Sequence, residues 1–287
     1  MQQQLHTQLA SQLASIDWSA PWWNPWRSVG QRVAQRVIAG CAVATALNQE
    51  TAIKQFVPQT AMPEGTAYEQ FIFDTQQVPT RDNLHDFFNG LVWIVFPQIK
   101  QRLNIMQAFE IKTHGVQATR GPLRDALTVF DENAAFMQPS PELAHALQQR
   151  QWRRAFIELR SQWQDQPPIL FGHALLEKLV LPYKSVTAHV FIAQAAIDLG
   201  ANVITVENWD TGISAALNPT ALNPAMLVPK PFLPLPVLGV PGWWPANEAA
   251  AFYDDAQVFR PLRPTSPPAH QPIADSRADY CANPQKY

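Results

Sequence analysis

Thr80-Arg81-Asp82-Asn83-Leu84-His85-Asp86-Phe87-Phe88-Asn89-Gly90-Leu91-Val92-Trp93-Ile94-Val95-Phe96 carries the strongest periodic signal in the chain. Leu84, Phe87, Phe88, Leu91 and Val95 recur at helical spacing on one face. Thr80 can cap the helix, Asp82 suits its positive end, and Pro97 should interrupt it before Ile99 to Phe109 resumes the pattern. Asp82, His85, Asp86 and Asn89 follow i, i+3, i+4, i+7 and share the opposite face. That face runs on into Trp93 and Phe96. A face that turns from polar to aromatic within one helix is more easily buried than solvated, and buried polar groups need partners from elsewhere in the chain.

Working outward, the same periodicity predicts helices over Val33 to Leu47, from Gly121-Pro122 through Phe130, and over Pro141 to Gln162. Two more are predicted over Ile169 to Leu181 and Val186 to Leu199, the last closed by Gly200. Little alternates at period two, and Val203 to Val206 is the best strand candidate. Four tryptophans between Trp18 and Trp26 can bury area without regular structure, and Gln59 to Gly65 reads as a turn. From Pro219 onward the chain holds 14 of its 26 prolines, yet it also carries Phe232, Trp243, Trp244, Phe252 and Phe259. It is too apolar for a disordered tail and too proline-rich for a bundle helix. The expected fold is mainly α: a single helical domain over residues 16–265, wrapped by an ordered, irregular C-terminal strap rich in Pro and Trp. Residues 1–15 are expected to be a flexible tail and 266–287 a disordered one.

Composition narrows the function. Of 287 residues 47% are apolar and only 15% charged, against about 25% in an average globular protein, so each charge can be weighed singly. A net charge of −2 offers no field for nucleic acid or an anionic membrane. Cys41 and Cys281 make no disulfide framework or metal pair, and Met1 to Ser15 lacks the basic start and apolar run of a secretory leader. A cytoplasmic protein with no membrane partner is expected.

Known nucleotide, zinc-protease and calcium motifs are absent. Gly212-Ile213-Ser214-Ala215-Ala216 lacks the second glycine of a nucleophile elbow, and His85-Asp86 lacks the upstream histidine of an HD-type phosphohydrolase. What remains is a constellation. His173 and Glu177 stand four apart, and His189 follows Pro182-Tyr183 at the start of the next predicted helix, where a hairpin would return it to His173. Asp131-Glu132-Asn133 ends the helix begun at Pro122. Asp254 and Asp255 lie in the strap with Arg260 and Arg263 downstream, and a structural bridge to an arginine is expected of them.

Two readings follow. In the first, His85, His173 and His189 with Asp86 or Glu177 converge on one divalent ion, zinc or iron by ligand type. The remaining carboxylate is the general base, and Arg81 and Arg124 hold a small anionic substrate; this is a metal-assisted hydrolase. In the second, the same groups form a satisfied buried network in a non-enzymatic binding or scaffold protein with a Trp-rich docking face. Haem held by one histidine among tryptophans is a third possibility.

Five stretches also resemble an uncharacterised bacterial family, domain of unknown function 3025: Val78 to Gly90, Phe130 to Asn133, Leu170 to Lys178, Pro236 to Trp244, and Phe252 to Asp255 through Arg260-Pro261. The resemblance spans roughly Val37 to Pro264 with no departure from the family pattern. It implies a cytosolic bacterial protein and transfers no catalytic residue.

Overall fold

A computed structural model describes residues 2–115, 121–164, 167–193, 205–217 and 232–262. The chain opens with helix α1 (Gln2–Ala14), where a flexible tail was expected; Leu9 and Leu13 are buried, which ties the helix to the core. Helices α2 (Arg27–Ile38) and α3 (Val43–Asn48) replace the single helix expected over Val33 to Leu47. The break is at Gly40, whose φ of +106° closes α2 with Gly40 N and Cys41 N donating to Val37 O and Arg36 O.

Strand β1 (Gln55–Pro58), helix α4 (Tyr68–Thr75) and strand β2 (Gln77–Thr80) come next, β1 and β2 pairing in parallel. Thr80 therefore ends a strand, and the cap of α5 (Leu84–Val95) is Asn83, whose side chain accepts from Asp86 N. Asp82 serves a different helix from the one expected: its Oδ1 accepts from Val43 N at the start of α3. Pro97 does break the pattern, sitting at the first position of α6 (Pro97–His114), where a missing N–H costs nothing.

Helix α7 (Pro122–Asn133) runs into strand β3 (Ala134–Met137). Helix α8 (Pro141–Gln148) is shorter than expected; Arg150, at φ +50°, closes it in a Schellman motif, and a π-helical turn (Arg154–Glu158) and a 3-10 turn (Arg160–Trp163) follow. Strand β4 (Ile169–Leu170) and helix α9 (His173–Lys178) divide the helix expected over Ile169 to Leu181. Thr187–Ile192, expected as helix, is strand β5; its β-branched and aromatic residues suit a pleated, buried position better than a helix. Val206 begins helix α10 (Val206–Ala216) after the Thr205 cap, so the strand expected over Val203 to Val206 is not formed at its last residue, and 203–204 lie outside the described residues. Ser214 lies within α10, which removes any nucleophile elbow there.

Strand β6 (Leu233–Pro236) completes a sheet ordered β4-β3-β5-β6, in which only the β3–β5 pair is parallel. The expected strap is thus described over 232–262 as one strand and short 3-10 turns. Phe259 and Tyr253 pack on Phe156, and Trp243 lies 6.3 Å from Trp22. The tail expected over 266–287 lies outside the described residues.

The described fold is mainly helical with two small sheets. One hydrophobic cluster runs from Leu9 to Phe259, with α5 at its centre: Trp23 stacks on Phe88 at 5.5 Å, and Phe96 meets Trp26, Phe136 and Phe171. Each such fully buried side chain stabilises by about 1.5–3 kcal/mol. Among the described residues no helix is long and apolar enough to cross a membrane.

Candidate functional site

Of the polar face expected on α5, Asp86 and Asn89 are buried, His85 is part exposed and Asp82 is exposed, and the partners of this face come from α4, α6, α7 and α9. Strand β2 delivers Arg81, whose backbone N and Nε donate to Asp86 Oδ2 and whose Nη2 donates to Asp86 Oδ1. Both Asp86 oxygens therefore accept from Arg81, and Asp86 holds the entry to the helix.

His173 is placed by backbone. Phe171 N and Gly172 N both donate to Ala134 O at 2.9 Å, pinning the start of α9 to the junction of α7 and β3. Gly172 is required there: a Cβ would stand 2.3 Å from Asn133 N and Glu132 O. The result sets His173 Nδ1 2.9 Å from the Asp131 carbonyl. Its Nε2 faces His85 Nε2 at 3.1 Å, and His85 Nδ1 lies 3.1 Å from Glu177 Oε2.

These contacts fix the protons. A carbonyl only accepts, so His173 Nδ1 carries a hydrogen and its Nε2 is the acceptor in a neutral ring. His85 Nε2 must then donate to it. The Glu177 carboxylate also only accepts, so His85 Nδ1 donates as well, and His85 is an imidazolium. The two pKa values move accordingly. The Glu177 hydrogen bond raises that of His85 against the opposing effect of burial. Burial lowers that of His173 to about 4.

Behind His173 stands a buried charge pair. Lys100 Nζ, on α6, donates to Asp131 Oδ1 at 2.6 Å and to Asn89 Oδ1 at 2.9 Å, and lies 5.3 Å from the centre of the Trp93 ring. Burial alone would raise the Asp131 pKa, but the Lys100 ammonium and His173 more than offset it and the net shift is downward. Asn89 Nδ2 in turn donates to the Tyr68 hydroxyl at 3.0 Å. Glu69 accepts from Asn104, and burial raises its pKa.

This network meets one cleft of about 430 Å³, within the size range of small-molecule sites, lined by Tyr68, Glu69, Arg81, His85, Arg124 and His173 among others. Of the residues singled out in the sequence, His85, His173, Glu177, Asp86, Arg81 and Arg124 are brought to this region. His189 is not. It lies on β5, its ring 6.3 Å from that of Phe232, and it does not line the cleft, because the segment is a strand rather than a helix returning to His173. Among the described residues no group of three or more His, Cys, Asp and Glu side chains is arranged to hold a metal ion, so the expected three-histidine centre is not formed. Asp254 does bridge to an arginine, Arg153, whereas Asp255 pairs with Lys184.

Sequence reasoning missed Tyr68, Glu69 and Lys100. Lys100, Asn104 and Gln107 stand at i, i+4, i+7 on α6, and all three are buried; that stripe was the available signal. Tyr68 and Glu69 open a short helix with nothing in the local pattern to mark them.

No curated protein and no solved structure matches the chain. A family model does, over residues 54–263, which takes in every element of the cleft, and the chain therefore belongs to the family described as proteins of unknown function, DUF3025.

Proposed function

We propose that the cleft is an enzyme active site that binds a small anionic molecule and acts on it by proton transfer, with His85 as the group that exchanges the proton. Glu177 sustains the charge on His85, and neutral His173 fixes its ring. The supporting observation is the openness of the outer half of the chain Glu177–His85–His173–Asp131. His85 and Glu177 each leave 39% of the side chain exposed, while His173 is buried. A network that served packing alone would gain nothing by holding a cation at the mouth of a cleft. A substrate reaching His85 must take over one of its two hydrogen bonds, and the exposed contact to Glu177 is the one that can yield. In hydrolysis of an ester or phosphoester, the leaving oxygen would take the His85 proton while water supplies the hydroxyl and, in turn, the replacement proton.

A second reading rests on the 3.1 Å between the two Nε2 atoms. Two nitrogens bound at roughly 2.0–2.1 Å to a tetrahedral ion stand about 3.3 Å apart, so zinc or iron would fit in place of the shared proton. Water and substrate would complete the sphere of a metal-assisted hydrolase.

The test is turnover by protein purified without an affinity tag, on a panel of phosphate and carboxylate esters, beside His85→Gln. Turnover lost in the variant at unchanged fold supports the active site. If that turnover also needs about one equivalent of transition metal and is abolished by a chelator, the metal-assisted reading is the correct one. Equal turnover in both proteins sinks the assignment and leaves the network a packing device.

A further inference from the structure

Two donors in the cleft wall have no acceptor among the described residues. The first is the Tyr68 hydroxyl. Lys100 occupies Asn89 Oδ1, so the Asn89 amide nitrogen faces Tyr68 and the phenol oxygen accepts from it. The phenol hydrogen is left over. Tyr68 retains it, because burial, followed by the charges of Glu69, Asp86 and Asp131, pushes its pKa well above the usual value. The second is Arg124, whose Nε is buried without a hydrogen-bond partner. Glu69 is its near anion, and burial raises the pKa of that carboxyl.

Both residues line the cleft beside His85. Asn89, which holds the Tyr68 hydroxyl, follows His85 by one helical turn, about 6 Å along the axis of α5. Arg81 is a poorer anchor, since two of its nitrogens are already spent on Asp86. Two donors on the wall of one cleft, one of them a guanidinium whose Nε has no hydrogen-bond partner, suit a group that only accepts and carries negative charge. Resting on the active-site reading above, we infer that Tyr68 and Arg124 form an oxyanion subsite for a carboxylate or phosphate group of the substrate. Tyr68 thereby becomes a specificity-determining residue.

The experiment is calorimetric titration of the full chain with inorganic phosphate and, separately, with malonate; the anion bound more tightly identifies the source chemistry. Tyr68→Phe and Arg124→Gln should each weaken that binding by roughly ten- to a hundredfold, the worth of one hydrogen bond to a charged group. Tyr68→Phe also strips Asn89 of an acceptor and lowers the melting temperature. Arg124→Gln breaks no side-chain hydrogen bond among the described residues, so its loss of binding at unchanged melting temperature is the decisive result. No binding of either anion to the wild-type chain at tens of millimolar, or wild-type binding by Arg124→Gln, overturns the subsite. His85→Gln separates the two proposals: anion binding sensitive to Arg124 with turnover indifferent to His85 removes the active site and keeps the subsite, whereas the converse removes only the subsite.

Discussion

His85 and His173 face one another through Nε2 atoms 3.1 Å apart, yet their pKa values move in opposite directions, one held up by Glu177 and the other driven down by burial. The pair behaves as one fixed donor and one fixed acceptor. Deprotonating His85 would set a bare nitrogen against either the Glu177 carboxylate or the His173 lone pair, and protonating His173 would set two N–H groups nose to nose.

This fixes a pH dependence. His85, with its folded pKa raised, contributes stability that is complete below its unfolded value near 6.5 and is lost as pH rises through the folded value. His173 does the opposite. Between about 4 and 6.5 the unfolded chain binds its proton and the folded one does not, so stability rises with pH across that window, by roughly 3 kcal/mol in all. Asp131, despite the upward push of burial, has a lowered pKa and adds to the loss in acid. Stability should therefore peak near neutrality. Imidazole shifts followed by NMR should show His173 titrating near 4 and His85 above 6.5. A common midpoint for the two rings would end the donor–acceptor assignment.

Lys100→Met should be among the costliest single changes in the chain. It leaves the Asp131 carboxylate buried without its ammonium and frees Asn89 Oδ1, and breaking such a pair from one side costs about 3–5 kcal/mol. Asp131→Asn added to Lys100→Met removes the orphaned charge and should restore part of the loss, since the His173 Nδ1 hydrogen bond goes to the Asp131 carbonyl and the carboxylate Oδ2 stands farther off at 3.7 Å. Urea denaturation measures both. A loss below about 1 kcal/mol for Lys100→Met would mean that the pair is solvated rather than sealed.

The two histidine-bearing helices differ in how far local sequence could reveal them. On α5 the stripe Asp82, His85, Asp86, Asn89 depends only on helical period, which is local, so its polar face and its break at Pro97 are legible without any structure. His173 and Glu177 are legible as a pair for the same reason. Their meeting with His85 depends on the β4–β3 pairing and on the missing Cβ of Gly172, both set by contacts about forty residues apart. His189 was misplaced because a short apolar run fits a strand and a buried helix equally well, and the neighbouring strands decide. Lys100 reads alone as a surface charge; only Asp131, thirty-one residues on, makes it a buried one.

Gly172→Ala tests the backbone that places His173. The added methyl would lie 2.3 Å from Asn133 N and Glu132 O, both main-chain atoms that no rotamer change can move. Helix α9 must shift, which costs on the order of 1–3 kcal/mol or more and pulls His173 Nδ1 from the Asp131 carbonyl. The variant should melt lower, and the His173 ring, no longer held as acceptor, should titrate closer to 6.5. Unchanged melting would show that the junction of α7 and β3 has slack not seen in the structure.

Alanine at the two histidines weighs the active-site reading against a purely structural network. His173→Ala removes a buried ring and leaves both the Asp131 carbonyl and the His85 Nε2–H without partners, so about 1–3 kcal/mol should be lost for each group that water cannot reach. His85→Ala removes a ring that is 39% exposed and opens both Glu177 and His173 Nε2 to water from the cleft, so the loss should stay below about 1 kcal/mol. The active site predicts that this second, well-folded variant is the inactive one. Were His85→Ala instead to melt as low as His173→Ala, the outer half of the chain would be bearing the fold. The exposed imidazolium would then be a strut between α5 and α9, with no surplus left to assign to chemistry.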